Sequence, residues 1–164
     1  MNCARLLQLI QSDHSISQYI CELEVPVPDF RRGGGAVVLL IKILPQLLRL
    51  RIYVPTGNRF IYPLSKIHPT IVDAIATRSP LWHLELHFAV LAHTDQIFNV
   101  IRHLTNLHHL DLLWTTFDES QMPNLRSQPQ SKAPGVTKLR ITCIRLMSLL
   151  VHSSLWPNTD FYGV

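Results

Sequence analysis

Cysteine is scarce in this chain, with three residues, Cys3, Cys21 and Cys143. They are too few and too scattered for a disulfide framework or a CxxC zinc site, and free thiols suit a reducing compartment. Charge is thin as well, at 16% of residues with a net +4. A disordered chain has the opposite balance, and a nucleic-acid tail carries far more of one sign. Long apolar runs are missing. The longest, Ala36–Leu44, includes Lys42 and stops at Pro45, far short of the ~18–20 residues of a membrane span. No small-residue cleavage site follows Met1–Ile10, so this stretch reads as an amphipathic helix rather than a signal peptide. Catalytic signatures are absent too: there is no GxSxG, no GxxxxGK and no Cys–His pair in a recognisable arrangement. What remains is a chain without enzymatic motifs, one domain over residues 1–164, expected in the cytoplasm or nucleus.

What the sequence does have is a repeat. The pattern apolar-x-x-apolar-x-apolar occurs as Ile20-Leu23-Val25, Leu47-Leu50-Ile52, Leu81-Leu84-Leu86, Leu107-Leu110-Leu112 and Val136-Leu139-Ile141. The first members lie 27, 34, 26 and 29 residues apart, within the period range of stacked-repeat folds. The alternation at the end of each unit is that of a strand with one buried face. Helical patterns stand between the strands: Ala4–Gln11, Ala36–Leu44, Thr70–Thr77, Asp95–Leu104 and Ile144–Ser153. In the fourth, Ile97, Val100, Ile101 and Leu104 share one face. Pro69 sits where a helix begins and needs no N–H donor. Pro45, Pro80 and Pro134 stand just ahead of strand anchors, where proline ends a helix and turns the chain.

These features predict an α/β fold: a solenoid arc of about five helix–strand units, with a parallel sheet on the concave side. Strands that return through helices must pair in parallel. Three segments read as loops. They are Pro26–Gly35, with Arg31-Arg32 and three glycines; Pro55–Pro63; and Asp118–Gly135, a polar insertion expected to be mobile. The residues Leu155–Val164 are expected to lie over the last unit.

The segments "LPQLLRLRIYV", "SPLWHLELHF" and "LTNLHHLDLLW" resemble leucine-rich repeats. With the helix and the "P-x-L" or "SPL" before each strand, and the opening "LLQLIQSDHSISQYICELEV", the chain resembles the irregular repeat region of fungal F-box/leucine-rich-repeat proteins. The resemblance implies a protein-interaction module that recognises substrates for an SCF-type ubiquitin ligase. The residues ahead of Ile20 are too few to hold an F-box, so docking to the ligase core is expected only if an F-box lies upstream. The Asn usual three residues after LxxLxL is replaced by Ala89 and Thr115.

Repeat arcs of this kind bind through the concave sheet face. The positions between the strand leucines point there, and they form three rows. One is Glu24, Arg51, Glu85, Asp111 and Arg140. The second is Glu22, Arg49, His83, His109 and Lys138. The third is Pro26, Tyr53, His87, Leu113 and Thr142. The candidate partner-binding residues are Glu24, Arg51, Tyr53, His83, Glu85, His87, His109, Asp111 and Arg140. Reversing Arg51 and Arg140 to Glu is then expected to weaken partner capture without unfolding the chain. The competing reading is that these charges merely pair with one another as exposed ion pairs across strands ~4.8 Å apart.

Nine histidines raise a metal question. His83 and His87 share a strand face but are ~13 Å apart along it, and no acidic or thiol third ligand has suitable spacing, so no metal and no cofactor are expected. Cys21 and Cys143, beside strands, read as buried thiols. Trp82, Trp114, Phe88 and Phe117 near strand ends read as core, or else as exposed binding anchors. Two further readings stay open. One is a nucleic-acid binder using the basic ends at Arg31, Arg32, Arg126 and Lys132; mixed signs on the sheet face argue against it. The other is a partial gene product with no independent role.

Overall fold

The structure is a computed structural model, and it describes residues 2–26, 28–53, 65–78, 80–87, 89–91, 100–117, 135–142 and 160–163. Helix α1 (Cys3–Ser12) is followed by a 3-10 turn (His14–Tyr19), strand β1 (Glu22–Pro26), helix α2 (Pro28–Ile43) and strand β2 (Arg49–Tyr53). Then come β3 (Ser65–Lys66), α3 (Pro69–Ala76), β4 (His83–His87) and β5 (Ala89–Leu91). Residues 100–103 are helical. Strands β6 (His109–Leu113), β7 (Thr116–Phe117), β8 (Lys138–Ile141) and β9 (Asp160–Gly163) complete the described elements.

The helix starts follow local chemistry. Asn2 caps α1 by accepting the Arg5 N–H at 2.9 Å. Pro69 opens α3 behind a His68 cap, its missing N–H being one the first turn never uses. At the C-terminal end of α2, where the last carbonyls lack helical N–H partners, the Arg78 guanidinium donates to the carbonyls of Lys42 (3.2 Å) and Leu44. Burial pushes the Arg78 pKa down.

Six strands form one parallel sheet in the order β1-β2-β4-β6-β8-β9, and three short ones form a second in the order β3-β5-β7. In the large sheet the register follows the leucines: Leu23, Leu50, Leu84, Leu110 and Leu139 are successive partners, and so are Val25, Ile52, Leu86, Leu112 and Ile141. All ten are buried, together with Val37, Leu40, Ile41 and Leu44 from the α2 region and Ile71 and Ile75 from α3. Alternate strand residues therefore face the helices, and the others face away.

The turn into each strand also repeats. The N–H groups of Leu48 and Arg49 both donate to the Cys21 carbonyl, at 2.8 and 3.0 Å. Trp82 and His83 do the same to Leu48, His108 and His109 to Trp82, and Thr137 and Lys138 to His108. Each carbonyl has two lone pairs and here uses both. Ahead of it, the N–H groups of Leu47, Leu81 and Leu107 close one further turn onto Leu44, Arg78 and Leu104. At the last such turn Gly135 has φ +91°, and a Cβ there would stand 3.0 Å from the Thr105 carbonyl oxygen. Only glycine fits that approach.

Several expectations are corrected. The segment 26–35 is not a loop: α2 begins at Pro28 and runs through all three glycines. Each mid-helix glycine costs about 1 kcal/mol relative to alanine. The downstream stretch from Val37 to Leu44 offsets this by burying four aliphatic side chains completely. Cys21 is exposed, and it is Cys3 that is buried. Trp82 and Trp114 are exposed large side chains, not core. The sheet has a sixth strand, β9, formed within the segment expected to lie over the last unit. The expected loop 55–63, the insertion at 118–134, and the helix at 144–153 lie outside the described residues. So do Cys143, Phe88, Arg126 and Lys132. Among the described residues no helix is long and apolar enough to cross a membrane.

Candidate functional site

The outward residues of the large sheet fall into the rows read from the sequence. Glu24 partners Arg51, Arg51 partners Glu85, Glu85 partners Asp111 and Asp111 partners Arg140. Two residues further back, Glu22, Arg49, His83, His109 and Lys138 run in parallel, and Asp160 extends them. The third row is joined in two pairs, Pro26 with Tyr53 and His87 with Leu113.

The centre of this face is Glu85, and it is not exposed: it is 4% accessible although it points away from the core. Its neighbours cover it. Arg49 donates to Oε1 from Nε at 3.0 Å and again from Nη2. His83 Nε2 lies 3.4 Å from the same oxygen. On Oε2, Arg51 Nε stands at 3.4 Å and His87 Nε2 at 3.2 Å. The His87 nitrogen is buried and outside hydrogen-bond alignment. Burial alone raises the Glu85 pKa. The Arg49 hydrogen bond and charge, with His83 and Arg51, more than reverse this and hold the carboxyl below its ordinary range.

Asp111 is the second anchor. Arg140 Nη2 donates to Oδ2 at 2.7 Å, and His83 Nε2 is 3.3 Å from the same oxygen. Burial again raises the pKa, and the contacts to His83 and Arg140 bring it below the usual value. His83 thus bridges the two carboxylates. Arg51 ties the centre to the rim, with Nη1 3.3 Å from Glu24 Oε1 and its guanidinium carbon 5.4 Å from the centre of the Tyr53 ring. Burial and the Arg51 charge lower the His87 pKa. Burial, then His83 and Lys138, lower that of His109.

An aromatic group stands beside the network. Trp82 tilts over His109 with ring centres 4.2 Å apart and stacks on His108 at 5.8 Å. His83 meets His109 edge-on at 5.2 Å. Trp82 keeps 43% of its surface exposed, and Leu48, the matching residue one strand earlier, keeps 45%.

All nine sequence-chosen residues therefore lie on one face, and eight are linked by direct contacts between neighbours; His109 joins through its ring contact with His83. Two expectations change. The charges are not uniformly exposed pairs, because Glu85 is buried. A third ligand-type group does stand near the histidines: His83, Glu85 and Asp111 place one donor atom each within 4.8 Å of one another. The sequence reading missed Arg49 as the principal partner of Glu85, and it left Trp82 between core and exposed anchor, of which the exposed placement is the one observed. The register signal that placed Arg49 beside His83 could have shown the first.

Thr115, at the place of the missing Asn, is fully buried, and its hydroxyl donates to the Leu86 carbonyl at 2.9 Å. It satisfies a backbone group of the preceding unit. Comparison with protein-family models, curated proteins and solved structures finds no match to this chain.

Proposed function

We propose that the chain is a leucine-rich-repeat-like solenoid arc with its large sheet on the concave side, and that it works as a protein-interaction module through the outward face of that sheet. The observation that carries the reading is the register. Five successive parallel strands set their outward residues in two unbroken polar rows, one of which runs from exposed Glu22 to exposed Lys138. The turn that recurs ahead of each strand supports a repeat origin, and Thr115 supports it by serving the preceding unit from the Asn position. A face with fixed charges of both signs gives specificity by complementarity more than by area. By its resemblance to the repeat region of fungal F-box proteins, the partner would be a ubiquitin-ligase substrate.

Charge reversal at Arg51 is not a clean test. It would set a carboxylate against buried Glu85, which loses a cation at the same time. Exposed positions are better probes. A photoreactive residue at Glu22 or Lys138 samples the sheet face, and one at Leu39 or Asp73 samples the helices. In cells, adducts are expected from the sheet positions at several times the yield of the helix positions. Equal yields, or a helix-side excess, overturn the assignment. Lys138→Glu should then abolish the sheet-side adduct formed from Glu22.

A further inference from the structure

We infer that His83, Glu85 and Asp111 form a zinc-binding site at the centre of the sheet face. Two of the three donor pairs have the spacing such an ion requires, and all three donor atoms lie within 4.8 Å of one another. Zinc holds N and O ligands at about 2.0–2.2 Å in a tetrahedron, which puts neighbouring donors about 3.3–3.5 Å apart. His83 Nε2 is 3.4 Å from Glu85 Oε1 and 3.3 Å from Asp111 Oδ2. The three donors come from two adjacent strands locked in parallel register, so little rearrangement is needed to present them. His87 Nε2 is a fourth nitrogen beside the Glu85 carboxylate, buried and without a hydrogen bond.

The donor set narrows the choice of ion. An imidazole with two carboxylates suits zinc; magnesium and calcium prefer all-oxygen shells, and the absence of thiolate disfavours copper(I). Three protein donors leave one coordination position for water or a group from outside the chain.

The arginines are the obstacle, because they already neutralise both carboxylates. Each has somewhere else to go. Arg51 already reaches Glu24. Arg49 stands opposite Glu22 in the register, and Arg140 lies one pleat from the partner of Asp160. The side chains of Arg49 and Arg140 are each 42% exposed. An arriving cation would exchange places with them. The site does not depend on the face having a protein partner.

The test titrates the full-length, chelator-stripped chain with zinc chloride by calorimetry at pH 7, and with cobalt(II) by visible absorption. One ion per chain and the intense bands of tetrahedral cobalt are expected. His83→Gln and Asp111→Asn should each weaken binding at least tenfold while circular dichroism shows an unchanged fold. His14→Gln, at an exposed histidine far from the cluster in sequence, should bind as the parent does. Arg49→Gln removes a competitor and should bind several-fold more tightly. Absence of saturable stoichiometric binding overturns the site. So does folded His83→Gln or Asp111→Asn protein with parental affinity, and so does weaker binding by Arg49→Gln.

Discussion

The two faces of the large sheet are built from the same strands by different rules. On the helix side, each of the first five strands supplies two aliphatic residues, and one leucine does the work of another. Burial of apolar area there is non-directional. On the outer side, identity matters at every step, since Glu85 takes Arg49 and Arg51 from β2 and His83 and His87 from its own strand. One face holds the strands together, and the other spends the resulting rigidity on fixing charges. The lesson is that alternation divides stability from specificity residue by residue. Glu85 is the exception, a polar-face residue as buried as the core.

The sharpest contrast lies between adjacent residues of the framework. Leu50→Ala should lower unfolding free energy by about 2–5 kcal/mol, because a fully buried leucine leaves a cavity. Urea denaturation reads this directly, and a loss below 1 kcal/mol would show that the ladder of leucines is not the core. Glu85→Gln comes next, at about 1.5–3 kcal/mol, the range for hydrogen bonds to charged groups. A change no larger than that of a surface residue would return Glu85 to the exposed class.

Acid should separate the faces next. His87 and His109 have folded pKa values below the usual imidazole value of about 6.5, so the unfolded chain binds their protons first. Their contribution is fully present above that pH and is lost as pH falls through it. Glu85 and Asp111, also lowered, add a second loss as pH falls below about 4.5. Tm measured from pH 8 to pH 3 should therefore decline in two stages, and a His87→Gln, His109→Gln double variant should lose the first. A flat profile from pH 8 to pH 5 would contradict the histidine assignment. The smallest effect is expected from Glu24→Gln at the exposed rim, about 0–1 kcal/mol; a larger loss would mean the rim belongs to the buried network.

The repeating leucines made five strands and their pairing legible in the sequence, because a period-two pattern and a common anchor fix both face and register. The same pattern was silent on Asp160–Gly163, which carries no such anchor, and on the second sheet, whose strands have two or three residues. Three consecutive glycines suggested a loop in α2, where the apolar stripe that follows them overrides local preference. The rows of the site were legible as rows. The burial of Glu85 was not, because it is produced by side chains from β2 and from its own strand, and accessibility is a property of the assembled neighbours. His83 and Asp111 meet across 28 residues of sequence, a distance at which spacing rules for ligands within one strand or helix say nothing.

The paired bonds onto the carbonyls of Cys21, Leu48, Trp82 and His108 have an evolutionary reading. They re-index the chain at the start of each strand, whatever length of polypeptide came between. The intervals between these carbonyls differ by up to eight residues, 34 against 26, with no slip in the sheet. Insertions and deletions between two such points are absorbed locally, and the segment from one point to the next is a natural cassette for duplication or exchange. A chain built this way can change the length of its polar face without redesigning it, and its sequence can vary between the anchors while the frame that orders them stays put.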